Sequence, residues 1–182
     1  EDPLREEAAD AVRELKEAGI TKVVMMTGDS ERTAAAIAKR VGVDEYYSEV
    51  LPEDKASFVE KEKELGHKVI MIGDGINDSL ALSSASVGIA ISDGAAIARE
   101  IADVTISADN LHEIVTLKRL STALMKRIHN NYRTIIGING GLIALGVTGI
   151  IMPTTSALLH NMSTLTISLR SMRNLLPKEE EA

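Results

Sequence analysis

The chain has 182 residues, 45% hydrophobic and 26% charged, which suits one domain of ordinary size with an appendage. A formal net charge of −7 argues against nucleic acid as a partner, since such a binder needs clustered positive charge. The absence of cysteine excludes a disulfide framework and thiolate metal sites. The start, Glu1-Asp2-Pro3-Leu4-Arg5, lacks the apolar stretch of a signal peptide. Leu4, Ala8, Ala11, Val12 and Leu15 recur at helical spacing and predict a helix over 4–18, closed by Gly19. Ile20 to Met26 is a short β-branched and apolar run, read as a buried strand that leads into Thr27-Gly28-Asp29-Ser30. A second helix runs to about Val41, and Tyr46 to Val50 reads as a short strand. Pro52-Glu53-Asp54 opens a third helix that closes at Gly66, and Lys68 to Ile72 is a further strand. A short helix from about Asn77, a strand at Val87 to Ile91, a helix from about Ala95 and a strand at Asp103 to Ser107 complete the series. Strands alternating with helices predict an α/β fold: a parallel sheet with helices on both faces.

The charge is unevenly placed. From Thr134 to Leu169, 36 residues pass without one Asp, Glu, Lys or Arg. A pair of membrane helices needs about 20 residues each, so the composition predicts a boundary near residue 130. A helix over about Asn110 to Asn131 carries Lys118, Arg119, Lys126 and Arg127 towards its end, with Arg133 just beyond. Ile135 to Met152 then reads as one span, Pro153-Thr154-Thr155 as the turn, and Ser156 to Leu169, extending as far as Leu176, as the return. Arg170, Arg173 and Lys178 follow. Basic residues flank the outer ends of this hairpin and not its turn, which places both ends on the cytoplasmic side. The competing reading is a helical hairpin buried in a water-soluble core.

The densest chemistry lies at Gly73-Asp74-Gly75-Ile76-Asn77-Asp78, between a strand and a helix. In an open α/β sheet this is the carboxyl end of a strand, where ligands bind. Asp74 and Asp78 are hard oxygen ligands suited to Mg²⁺, which usually binds through one or two carboxylates with water and phosphate. Asp and Asn capping the next helix is the plainer reading. Thr27-Gly28-Asp29 offers a hydroxyl and backbone N–H groups to an anion at a helix start. Lys55 sits at the head of a helix, where a cation opposes the helix dipole. A hydroxyl, a cation and magnesium carboxylates are the equipment of phosphoryl transfer.

Thr27-Gly28-Asp29, Pro52-x-x-Lys55 and Gly73-Asp74-Gly75-Ile76-Asn77-Asp78 resemble, in order and spacing, the later motifs of the haloacid-dehalogenase superfamily, and among them those of the P-type ATPases. Asp2-Pro3-Leu4-Arg5 looks like the segment that re-enters their phosphorylation domain. The resemblance implies that Thr27, Gly28 and Asp29 hold the phosphoryl group, Lys55 stabilises it, Asp74 with Asp78 places Mg²⁺, and Asn77 orients the network. ATP is the implied substrate, bound mostly by a nucleotide domain outside this chain. Ser79-Leu80 stands where the family usually has a variable residue and then proline. The family's nucleophilic Asp, in an Asp-Lys-Thr-Gly-Thr segment, is absent. The expected sheet is therefore a Rossmann-type sheet lacking its nucleophile strand, and the chain alone is expected to be inactive.

Two helices after such a domain suit the heavy-metal subgroup. The implied organisation is residues 1–116 as the C-terminal part of the phosphorylation domain, 117–133 as a basic connecting helix, 134–176 as two membrane helices (about 134–152 and 155–176), and 177–182 as a cytoplasmic tail. Polar residues inside a membrane are functional candidates by default. Here these are Asn139, His160, Asn161, Met162 and Ser163, with Thr148 and Thr164 beside them. His160-Asn161-x-Ser163-Thr164 resembles the last-helix signature of some divalent-metal members. Imidazole favours Zn²⁺, Co²⁺, Mn²⁺ or Fe²⁺, and the Met162 thioether suits Cu⁺. Ser, Thr and Asn also serve simply to join helices, and Gly137, Gly140 and Gly141 read as close-packing points. The implied partners are a transition-metal ion, ATP and the remaining domains of an integral, multi-pass pump. A soluble phosphatase, or a membrane-anchored partner that binds Mg²⁺ and phosphate without turnover, are the alternatives.

Overall fold

Helix 1 (α1, Pro3–Glu17) ends as its spacing predicts, and Gly19 follows in the left-handed region at φ +97°. The structure is a computed structural model that describes residues 3–74, 77–91, 100–106 and 111–175. Strand β1 (Val24–Met26) is shorter than the apolar run that precedes it. Asp44 explains the difference: its carboxylate accepts the Val23 N–H at 2.8 Å and the Lys16 ammonium at 2.8 Å. The run's last residue before the strand thus gives its donor to a side chain. Helix α2 (Glu31–Val41) leads to β2 (Glu45–Tyr47), which pairs parallel with β1, Met25 opposite Tyr46.

Helix α3 (Pro52–Glu64) begins with proline in its first turn, where the missing N–H costs nothing, and the Asp54 carboxylate accepts the Leu51 N–H at 3.3 Å. Strands β3 (Ile70–Gly73), β4 (Val87–Ile91) and β5 (Val104–Ile106) follow, with the short helix α4 (Ser79–Ser84) between β3 and β4. These three strands form a second parallel sheet in the order β3-β4-β5, Ile72 opposite Ile89 and Ala90 opposite Thr105. The helix expected from Ala95, Gly75 and Ile76 of the glycine-rich motif, and the acidic tail lie outside the described residues.

Where one incomplete sheet was expected, the described strands form two: β1-β2 and β3-β4-β5. Strand β1 bonds only to β2, and β3 only to β4, so each keeps one unpaired edge among the described residues. The core of this part joins Val59, Met71, Ala81 and Leu82, with Met26, Ala56, Val69, Ala85 and Ile101 packed against them. Strand β4 is buried through Gly88, Ile89 and Ala90, as suits the middle of a parallel sheet covered on both faces.

The chain divides into two compact units, Glu1–Val115 and Thr116–Ala182. The second contains most of one long helix and all of another. Helix α5 (His112–Val147) runs unbroken through the boundary that composition places near residue 130, and α6 spans Pro153–Ser171. No helix among the described residues is long and apolar enough to cross a membrane. The charge-free end of α5, residues 134–147, reaches about 21 Å at ~1.5 Å per residue, against ~30 Å of hydrocarbon. The apolar Ile150-Ile151-Met152 lies in the turn rather than the helix. The apolar character of α6 is interrupted by His160, Asn161 and several hydroxyls, while the helix itself is continuous.

Acid should weaken the first unit at a definite place. Lys16, and then the Val23 N–H, hold the Asp44 carboxyl below its ordinary value, and Ser48 and Tyr46 do the same for Glu31. A depressed folded value means stability present above the ordinary carboxylate pKa of about 4 and lost as pH falls through the folded value. Unfolding measured across that window should show a shallower acid limb in Asp44→Asn than in the wild type. Parallel curves would contradict the assignment.

Candidate phosphate and metal sites

Thr27 follows the carboxyl end of β1, and Asp74 follows that of β3. Each candidate thus stands at the carboxyl end of a parallel strand, the end at which open α/β sheets take their ligands. Thr27 is half-buried. Its Oγ1 donates to Asp29 Oδ2 at 2.9 Å and accepts the Asp29 N–H at 3.1 Å. Its backbone is anchored to both neighbours: Thr27 N–H donates to Tyr47 O, and Val50 N–H to Thr27 O, each at 3.0 Å. The hydroxyl is therefore fixed at the strand end, beside the exposed Gly28 and Asp29.

Lys55, in the first turn of α3, meets Asp78, the residue before α4. Their Nζ–Oδ1 distance is 2.7 Å, with side chains 14% and 12% exposed. Asp78 is the one buried charged residue among the described residues. It stands at the N-cap of α4 yet makes no side-chain cap bond, so the plain capping reading does not describe it. Asp74 Oδ1 instead accepts the Asn77 N–H at 3.2 Å, closing the turn. The pair also resolves the placement of Lys55 against the helix dipole: a near-buried carboxylate compensates it.

Gly73 has to be glycine. A Cβ there would lie 2.7 Å from Asp78 Cβ and 2.9 Å from Asp78 Cγ. Gly73→Ala should thus lower stability by about 1–3 kcal/mol and drive Asp78 from Lys55. Urea unfolding of the two forms measures the first effect, and coincident curves would contradict it.

Asp74 and Asp78 are hard oxygen donors, the chemistry that suits Mg²⁺ completed by water and phosphate. No group of three or more His, Cys, Asp or Glu among the described residues could hold a metal by itself. The Thr27–Asp29 pair and the Lys55–Asp78 pair are each internally bonded, and among the described residues no hydrogen bond joins one to the other.

In the second unit, His160 Nδ1 lies 2.8 Å from Asn139 Oδ1. An amide oxygen only accepts, so Nδ1 is the donor in this bond, which leaves Nε2 as the ring nitrogen turned away from Asn139. Asn139, His160 and Asn161 line one cleft between α5 and α6 of about 660 Å³, with Leu142, Ile143 and Gly146. Met162 is 57% exposed and lies outside the residues lining that cleft. Ser163 and Thr164 return their hydroxyls to His160 O at 2.8 and 3.0 Å, and Thr148 returns its own to Ala144 O at 3.1 Å. A Cβ added at Gly137, Gly140 or Gly141 would meet nothing within 4 Å. Those glycines are not packing points between these two helices, because their open faces carry no neighbour. Sequence spacing did not reveal the Asn139–His160 pair, since 21 positions separate partners that only the hairpin brings together.

Residues 1–86 match the haloacid dehalogenase-like hydrolase family. A zinc-exporting P-type ATPase of Mycobacterium marinum is 37% identical over 173 residues, 94% of this chain and 24% of its own length. A manganese-exporting P-type ATPase of Mycobacterium tuberculosis is 38% identical over the same shares. The crystal structure of a zinc-transporting PIB-type ATPase in its E2.Pi state superimposes with a TM-score of 0.84 at 33% identity, covering 93% of this chain and 27% of that one. The chain spans about a quarter of the length of the relatives it matches. Over 94% of its length the chain is similar to heavy-metal-transporting P-type ATPases, and its first part matches the haloacid dehalogenase-like hydrolases.

Proposed function

We propose that this chain is the C-terminal part of an ATP-driven pump that moves a transition-metal cation across a membrane through an aspartyl-phosphate intermediate. The observation that carries the reading is the near-buried Lys55–Asp78 pair, with Thr27 and Asp74 each just past the carboxyl end of a parallel strand. Residues 1–116 supply the second half of a phosphorylation site. The unpaired edges of β1 and β3 are where a further strand, bearing the nucleophilic Asp, would join the two sheets into one. Thr27 Oγ1 and the N–H groups after it would hold the phosphoryl oxygens, and Lys55 would neutralise their charge. Asn77 keeps the Asp74 turn in shape. Asp74 and Asp78 would hold Mg²⁺, which, when bound, draws charge from the phosphate oxygens.

Residues 117–133 would connect this part to a lipid-embedded pair over 134–176, with 177–182 a cytoplasmic tail. Two facts support that placement: no charge occurs over 134–169, and large apolar side chains there stand exposed, among them Ile136, Ile143, Ile150, Leu158 and Leu165. A helix pair alone leaves such faces bare, whereas lipid and further helices would cover them. The transported ion would bind at His160 Nε2, with Asn139 fixing the ring and Asn161 nearby. Among the relatives' ions, zinc and manganese suit imidazole, while copper, exported by other relatives, suits the Met162 thioether.

Incubating the full-length protein with labelled ATP tests the reading. A metal-stimulated, hydroxylamine-labile phosphoprotein is the expected product. Its absence with every transition metal tried would overturn the proposal.

A further inference from the structure

A second cleft lies within the Thr116–Ala182 unit, at the end of the helical pair away from the turn. It encloses about 360 Å³ between α5 and the end of α6, and its lining includes Lys126, Arg127, Asn130, Arg170, Arg173 and Leu175. Four cations thus face one small space. No acid offsets them in sequence, because the chain holds no Asp or Glu between Glu113 and Glu179.

The four cations do different things. The Arg127 guanidinium donates to Ser171 O at 2.9 Å, to Arg173 O, and to Asn174 O at 3.2 Å. It therefore occupies the Ser171 carbonyl in the last turn of α6, where the helix dipole is negative, and two carbonyls just beyond the helix. Asn131 Nδ2 adds a bond to Ser171 Oγ at 2.7 Å. With those acceptors taken, the field of the helix end no longer satisfies the remaining cations. Lys126, Arg170 and Arg173 are exposed, and their side chains form no ion pair among the described residues. Like charges gathered around a cleft repel unless an anion joins them.

The position of the cleft identifies that anion. Arg170 directly follows the charge-free stretch 134–169, and Lys126 and Arg127 lie two helical turns before it begins. On the membrane reading made above, on which this inference rests, that is the depth of the lipid headgroups. Leu175 and Ala123 give the cleft an apolar side. We propose that the cleft binds the phosphodiester of an anionic phospholipid, with Arg170, Arg173 and Lys126 as its ligands and Arg127 as the clamp that shapes it. Guanidinium groups suit this task because their forked donors match two phosphate oxygens at once.

The test uses the full chain in phosphatidylcholine vesicles, with spin-labelled phosphatidylglycerol or spin-labelled phosphatidylcholine as the probe. The wild type should restrict phosphatidylglycerol at least about fivefold more strongly than phosphatidylcholine. The variant Lys126→Gln/Arg170→Gln/Arg173→Gln, with Arg127 kept, should bring the two within roughly twofold. Retained selectivity in that variant would overturn the inference. Selectivity abolished by excess inorganic phosphate would overturn it too, showing a soluble-anion site instead. Because the chain has no cysteine, a single label at Ile143→Cys reports immersion separately. If that label is shielded from water in wild type and variant alike but selectivity is missing, only the headgroup inference fails. A water-exposed label would mean that the lipid-embedded hairpin itself is wrong.

Discussion

Replacing Lys55 by methionine should lower stability by about 3 kcal/mol, since it leaves the Asp78 carboxylate nearly buried without a counter-charge. The same change should reduce ATP hydrolysis by the full-length protein on the order of 100-fold or more, as the loss of a preorganised charge-stabilising donor does elsewhere. The two effects are separable. Adding Asp78→Asn to Lys55→Met removes the stranded charge and should return most of the lost stability, because an ion pair exchanged for neutral groups of similar shape is near neutral. Activity should stay lost, since neither the cation nor the magnesium carboxylate returns. A double-mutant cycle followed by urea unfolding gives the coupling directly. Additive effects of the two substitutions would mean that the pair is not the structural unit drawn here.

The second large effect lies in the hairpin. His160→Ala should cut metal-stimulated hydrolysis on the order of 10- to 100-fold and shift which metals stimulate at all. Asn139→Ala should act in the same direction but less, about tenfold, because it frees the ring whose Nδ1 it orients. Met162→Leu should change little, since that thioether is exposed away from the cleft. Metal titrations of the three variants decide the matter. An unchanged His160→Ala profile beside an altered Met162→Leu profile would move the ion site to the thioether, and with it the choice of metal towards Cu⁺.

Much of the fold is legible in the sequence where one local rule governs. Strand β4 begins and ends where its apolar run does, because its central residues are buried on both faces. The helix over Pro3–Glu17 and its closing glycine follow from spacing and backbone freedom alone. Legibility fails where a distant side chain intervenes. Asp44 captures the Val23 N–H and shortens β1, and nothing in Ile20 to Met26 announces it. The composition break near residue 130 changes side chains and not the backbone hydrogen bonding of a helix, so α5 passes through it without interruption. The glycines of that helix meet no neighbour within this chain, because spacing shows what could approach, not what does.

The candidate site shows the same division. The glycine-rich turn and Lys55 are recognisable as separate chemistry. Their union through Asp78 is not, because 23 residues separate the pair and the carboxylate had two plausible tasks, capping and metal binding. The structure adds a third: it holds the lysine. Gly73 then acquires a reason that the motif does not state, since Asp78 occupies the volume of its missing side chain.

The most direct test of the account is ATP-driven metal uptake into inside-out vesicles that contain the full-length protein. Wild type should accumulate Zn²⁺ or Mn²⁺ only with ATP and Mg²⁺, and Lys55→Met should accumulate neither. Uptake that persists in Lys55→Met, or that fails in wild type while metal-independent phosphatase activity remains, would contradict it.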